Sequence, residues 1–149
     1  MASPSFSFES MLAKTELFEG LDHDELGPFA EKCQLHTYQS GQEITREGEL
    51  GTGLYIVTKG SVDIVAKRGT PDESVVATTA EGGFFGDMAL LLEHPRSATI
   101  VAKDFTECLV LTRWDFKDIA QDHPKVIWNM LQVIARRLAA VESPMEQQL

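Results

Sequence analysis

Apolar positions in this chain recur at helical spacing at both ends and at strand spacing in the middle. Phe8, Leu12, Leu17 and Phe18 form a loose helical face that ends at Gly20. Asp22 and Glu25 then make a capping-box pattern ahead of Leu26, Phe29 and Ala30. Pro28 falls beyond the first turn of that helix, where proline removes a backbone hydrogen bond. From about Leu35 the pattern changes to short β segments separated by glycine turns. The strand segments are Leu54 to Val57, Val62 to Ala66, Val75 to Thr79, Ala98 to Ala102 and Cys108 to Leu111. After Thr112 the helical period returns, with a short helix from Trp114 to Gln121 and a longer one opened by Pro124 at a first helical position.

That order predicts an α+β domain: N-terminal helices (1–34), a β-rich middle (35–112), C-terminal helices (113–142) and a tail (143–149). Many short strands at regular spacing point to a sandwich, barrel or jelly roll. In the last helix Ile127, Leu131, Ile134, Leu138 and Val141 alternate spacings of four and three, and Ser143-Pro144 is expected to break the seam. Val126, Met130 and Val133 widen it. Such a seam packs either on its own domain or against a second copy, and both roles stay open.

At 149 residues the chain is long enough for one domain with its own core. No apolar run reaches membrane-spanning length, and Met1 to Ser10 lacks the basic start and apolar centre of a signal peptide. Cys33 and Cys108 match no metal or redox spacing, and two lone thiols suit a reducing compartment, so a cytoplasmic location is expected. The net charge of −10, with 13 scattered basic residues, makes the chain alone a poor nucleic-acid binder. An anionic ligand has to be small and met locally, because the global field opposes it.

One segment carries the needed chemistry. Gly82-Gly83 precede Phe84-Phe85 and allow close backbone approach to a ligand. Gly86 opens a short helix from Asp87 to Leu92, whose first N–H groups attract a phosphate, and Ala89 is small enough to leave that approach clear. Arg96 follows the pause at His94-Pro95 and can grip two phosphate oxygens, with Ser97 beside it. Taken singly, Gly86-Asp87 reads as a turn and helix N-cap, and Arg96 as a partner for Glu93. Gathered in one segment of a β-rich domain, they read as an anion site.

Gly86-Asp87-Met88-Ala89-Leu90 followed by Pro95-Arg96-Ser97-Ala98-Thr99 resembles the phosphate-binding cassette (84–99 here) of the cyclic-nucleotide-binding domain family. Gly41, Gly48-Glu49, Leu54 to Val57 and Gly60-Ser61-Val62 fit that family's spacing, and the resemblance runs from about Leu17 to Leu138. It implies a β-roll, a jelly-roll-like double-stranded β-helix, flanked by N-terminal helices and two C-terminal helices that move on binding. It also implies a site of Phe85, Gly86, Asp87, Met88, Ala89, Arg96, Ser97 and Ala98. In that site Arg96 takes the phosphate oxygens, joined by N–H groups around Ala89 and Ser97, and the acidic residue after Gly86 takes the ribose 2′-hydroxyl. The family usually has glutamate there. Asp87 is one methylene shorter, so it reaches the ribose through a helix shift or a water. The Pro-Arg-Ser-Ala-Thr form looks like bacterial cAMP-binding members, which favours cAMP over cGMP.

The resemblance implies a regulatory sensor with cAMP or cGMP as ligand, no cofactor, and a homodimer or effector protein as partner. No catalytic pair or metal-ligand spacing is visible among His23, His36, His94, His123 and the carboxylates. His94, beside Arg96, is a candidate for pH sensitivity, and Met130, Ile134 or Arg137 for capping the base. No output segment is expected after Val141, which leaves two alternatives. One is a degenerate β-roll used for protein interaction. The other is the sensor part of a Crp/Fnr-like regulator without its DNA-binding domain.

Overall fold

The computed structural model describes residues 4–51, 53–93 and 95–146. Helix α1 covers Pro4–Leu12, a single 3-10 turn covers Glu16–Phe18, and α2 covers His23–Lys32. The apolar run ending at Gly20 is thus divided, because buried Thr15 adopts extended torsions between the two pieces. The capping box forms as expected: the Glu25 N–H donates to Asp22 Oδ1 at 2.9 Å and the Asp22 N–H to Glu25 Oε1 at 3.2 Å. Pro28 lies inside α2. Its missing donor leaves only the carbonyl of exposed Asp24 without an intrahelical partner, a position open to water.

Eight strands follow: β1 (Gln34–Tyr38), β2 (Glu43–Thr45), β3 (Gly53–Lys59), β4 (Ser61–Ala66), β5 (Ser74–Ala80), β6 (Phe84–Phe85), β7 (Thr99–Ala102) and β8 (Thr106–Thr112). They form two antiparallel four-stranded sheets, in the orders β1-β8-β3-β6 and β2-β7-β4-β5. This is the expected β-roll. Side chains alternate between two cores, as the pleat requires. Leu54, Ile56, Phe84, Leu109 and Leu111 face the helices, whereas Val57, Phe85 and Cys108 face the roll interior with Val62 and Ile100. Burial pushes the Cys33 and Cys108 thiols up to about 12, so both stay protonated at neutral pH.

Helices α3 (Asp87–Leu91), α4 (Arg113–Ala120) and α5 (Pro124–Glu146) complete the fold. Two readings of α5 change. The helix runs past Ser143-Pro144 to Glu146, because a proline so near a helix end forfeits only the bond to the carbonyl of exposed Ala140. The two apolar rows also divide their roles. Val126, Met130 and Val133 are buried in the domain's own core, while Ile127, Leu131, Leu138 and Val141 stay exposed, Leu131 by 55%. Polar contacts fix the register of α5 against the N-terminal turn. The Asn129 amide donates to the carbonyls of Leu17 (3.0 Å) and Glu19 (2.8 Å), and Arg136 pairs with Glu16 at 2.8 Å.

Candidate functional site

The site is built where three backbone segments approach more closely than side chains permit. Gly86 has φ +90°, and a Cβ there would lie 2.4 Å from the Gly53 carbonyl oxygen. A Cβ at Gly51 would lie 2.4 Å from Ala89 Cβ and 2.7 Å from Arg96 Cζ. Only glycine meets both demands. Gly86, not Asp87, is the N-cap of α3, with left-handed torsions and no side-chain cap. Asp87 therefore occupies the first helical position and its carboxylate is free to do something else. The helix is a single short turn and a half, so what it offers is unpaired N–H groups more than a dipole.

Arg96 is pinned by its backbone. Its N–H donates to the Glu49 carbonyl and its carbonyl accepts from the Gly48 N–H, both at 2.9 Å. Its guanidinium lies 5.7 Å from the centre of the Tyr55 ring, which stacks in turn on Phe85 at 4.8 Å. Among the described residues no carboxylate comes within ion-pair distance of Arg96. Glu93, its expected surface partner, instead meets Arg113 at 3.0 Å. Burial pushes the Arg96 guanidinium below its ordinary value, with Tyr55 and Glu49 acting in the opposite direction. It remains a cation, half-buried and with no ion-pair partner among the described residues.

Arg96 opens onto a cavity of about 370 Å³, a size suited to a small organic ligand. All eight residues expected at the site line it: Phe85, Gly86, Asp87, Met88, Ala89, Arg96, Ser97 and Ala98. Residues that sequence spacing did not single out for the site also line it, namely Ile64 from β4, Ala77 and Thr79 from β5, and Ile100 from β7. Strand alternation is the only signal that could have placed them. Gly82-Gly83 do not line this cavity. Gly82 has φ +89°, and a Cβ at Gly83 would strike Thr79, so the pair serves the turn between β5 and β6. His94 lies outside the described residues.

Asp87 is 4% exposed, and its Oδ2 accepts a 2.7 Å hydrogen bond from Arg137 Nη1 on α5. Arg137 also lies 5.7 Å from the centre of the buried Phe84 ring and lines the cavity. Of the three residues on α5 considered for reaching the ligand, Arg137 is the one that lines the cavity. Among the described residues, no cluster of three His, Cys, Asp or Glu side chains could hold a metal. No described helix is long and apolar enough to cross a membrane.

Residues 35–123 match the cyclic nucleotide-binding domain, more than half of the chain. The chain belongs to the cyclic nucleotide-binding domain family. The match is narrower than the Leu17 to Leu138 span read from the sequence, and it contains the whole cassette. The chain is 36% identical over 122 residues to the cyclic AMP receptor protein of Thermus thermophilus, covering 82% of this chain and 56% of that one. It is 32% identical over 148 residues to glutaminase 1 of Bradyrhizobium diazoefficiens, covering 97% of this chain and 23% of the enzyme. In structure it resembles the Thermus thermophilus catabolite activator protein, with a TM-score of 0.81 and 33% identity over 90% of this chain and 63% of that one. The chain thus spans under two thirds of the length of these relatives.

Proposed function

We propose that this cyclic nucleotide-binding domain takes cAMP in preference to cGMP and passes binding on through α5 as a regulatory signal, with no chemistry done on the ligand. The observation that carries this reading is Arg96, a half-buried guanidinium without a carboxylate partner among the described residues, facing a ligand-sized cavity beside the unpaired N–H groups of α3. A cyclic phosphate supplies the missing charge. Phe85, Gly86, Met88 and Ala89 form one wall, and Ser97 and Ala98 flank the arginine. The cAMP preference is supported by the Pro95 to Thr99 sequence form and by a relative named for that ligand. Isothermal titration calorimetry with both nucleotides tests it. The expected result is one site per chain and tighter binding of cAMP. Absence of binding to either nucleotide, or tighter binding of cGMP, contradicts the reading.

The partner we propose is a second copy, joined along the exposed row of α5. Ile127, Leu131, Leu138 and Val141 hold heptad-like positions and are not used by the domain's own core, while Trp128 is exposed nearby. Sedimentation equilibrium is expected to find a dimer that Leu131→Glu converts to monomer. A wild-type monomer at high micromolar concentration rejects this partner and leaves an effector protein. A whole protein with an enzymatic or DNA-binding output fits the partial coverage of glutaminase 1 and of the cyclic AMP receptor protein.

A further inference from the structure

We infer that the groove where α3, α4 and α5 meet is a second ligand site, fitted to a small apolar molecule with one carboxylate, such as a medium-chain fatty acid. It goes beyond the cyclic-nucleotide reading and does not rest on it. The groove has a volume of about 340 Å³, close to the 370 Å³ of the cavity at Arg96, and the two share no lining residue. Its apolar lining follows from helix spacing. Phe116 and Ala120 fall one turn apart on α4 and are buried, as is Leu90 on α3. Leu91 and Ile127 complete the lining and stay 43% and 40% exposed, so an apolar wall is left open to water.

Charge selects the occupant. Arg113 and Lys117 also lie one turn apart on α4, so both cations border the same groove. No carboxylate lines it. By contrast, the cavity at Arg96 contains Asp87, and the clefts beside Lys14 and Lys67 contain Glu81 and Glu47. In a chain of net charge −10, an apolar groove with two cations and no carboxylate is set for an anion. Lys117 has no ion-pair partner among the described residues. Arg113 pairs at 3.0 Å with Glu93, whose side chain is 77% exposed, and so weak a surface pair can yield to a ligand. A carboxylate between the two cations anchors the head of the molecule, and its alkyl chain covers Leu91, Phe116 and Ile127. A concave site of this volume, lined from three helices, suits one such chain better than a folded partner.

The test is calorimetry with octanoate, decanoate and dodecanoate, and with 1-octanol as the uncharged counterpart. One carboxylate is expected to bind per chain, about threefold tighter for each added methylene until the groove is full. Lys117→Gln is expected to weaken each carboxylate about fivefold and to leave 1-octanol within about twofold, because it removes a charge and little apolar surface. Leu91→Gln is expected to weaken carboxylates and 1-octanol alike, about tenfold. Arg96→Leu is expected to change neither, which separates the groove from the nucleotide cavity. No binding of dodecanoate at about 1 mM overturns the proposal. So does loss of decanoate binding in Arg96→Leu, or equal weakening of octanoate and 1-octanol by Lys117→Gln. The cyclic-nucleotide reading is decided separately, by cAMP and cGMP binding to the same protein. Thermal melts check the folding of each variant, and the exposed position of Lys117 keeps the test decisive if Leu91→Gln does not fold.

Discussion

Arg96→Leu is expected to weaken cAMP binding by about 2–5 kcal/mol, or roughly 30- to 4,000-fold, without lowering the stability of the free domain. The two halves of this result come from one cause. In the free protein the Arg96 guanidinium is half-buried over Tyr55 and has no ion-pair partner among the described residues, so Tyr55 and Glu49 offset its desolvation only in part. An apolar side chain removes that strain, and the melting temperature is expected to stay level or rise. Once a phosphate is present the balance reverses, because charge-assisted bonds replace the lost water. This is stability given up at a site for the sake of binding. Calorimetry and differential scanning calorimetry on the same preparations read both halves. Binding within about threefold of wild type contradicts the assignment of Arg96 to the phosphate, whereas lost binding with a melting temperature more than about 8 °C lower marks a folding defect.

The site was legible in the sequence to the degree that its chemistry is local. Gly86, Asp87, Ala89, Arg96 and Ser97 fall within a dozen residues, and their types suffice to suggest an anion cradle. What the structure adds comes from elsewhere in the chain. Gly51 reads as one more loop glycine until a Cβ is placed on it and meets Ala89 and Arg96. Asp87 reads as a helix cap until its neighbour proves to be Arg137, which local spacing cannot reveal. Strand β6 has only two residues, too few for a period of two to register, yet it sends Phe84 to the helical core and Phe85 to the roll interior. The two rows of α5 show the same limit. Periodicity found both, but only the packed fold decides that Val126, Met130 and Val133 are core while the Leu131 row is not.

Phe29→Ala is expected to cost about 3–5 kcal/mol, the largest stability loss among these substitutions. Phe29 is fully buried, and its ring lies 5.1 Å from Phe18, 6.1 Å from Phe116 and 5.7 Å from His123. Those partners belong to the 3-10 turn, to α4 and to the link before α5, so one ring joins the N-terminal elements to the C-terminal helices. The cavity left by alanine has walls in three separate elements and cannot close by one side chain moving. A domain of this size has about 5–15 kcal/mol in total, so the variant keeps only part of its stability. Its pocket residues are untouched, and saturating nucleotide is expected to restore about 2.7 kcal/mol at a hundredfold excess over Kd. Urea denaturation with and without cAMP measures both quantities. A loss below about 1 kcal/mol would show that the helices do not depend on this joint. A full loss without recovery by cAMP would mean that the pocket cannot form unless Phe29 holds the two helical layers together, which would place α2 inside the ligand-responsive unit.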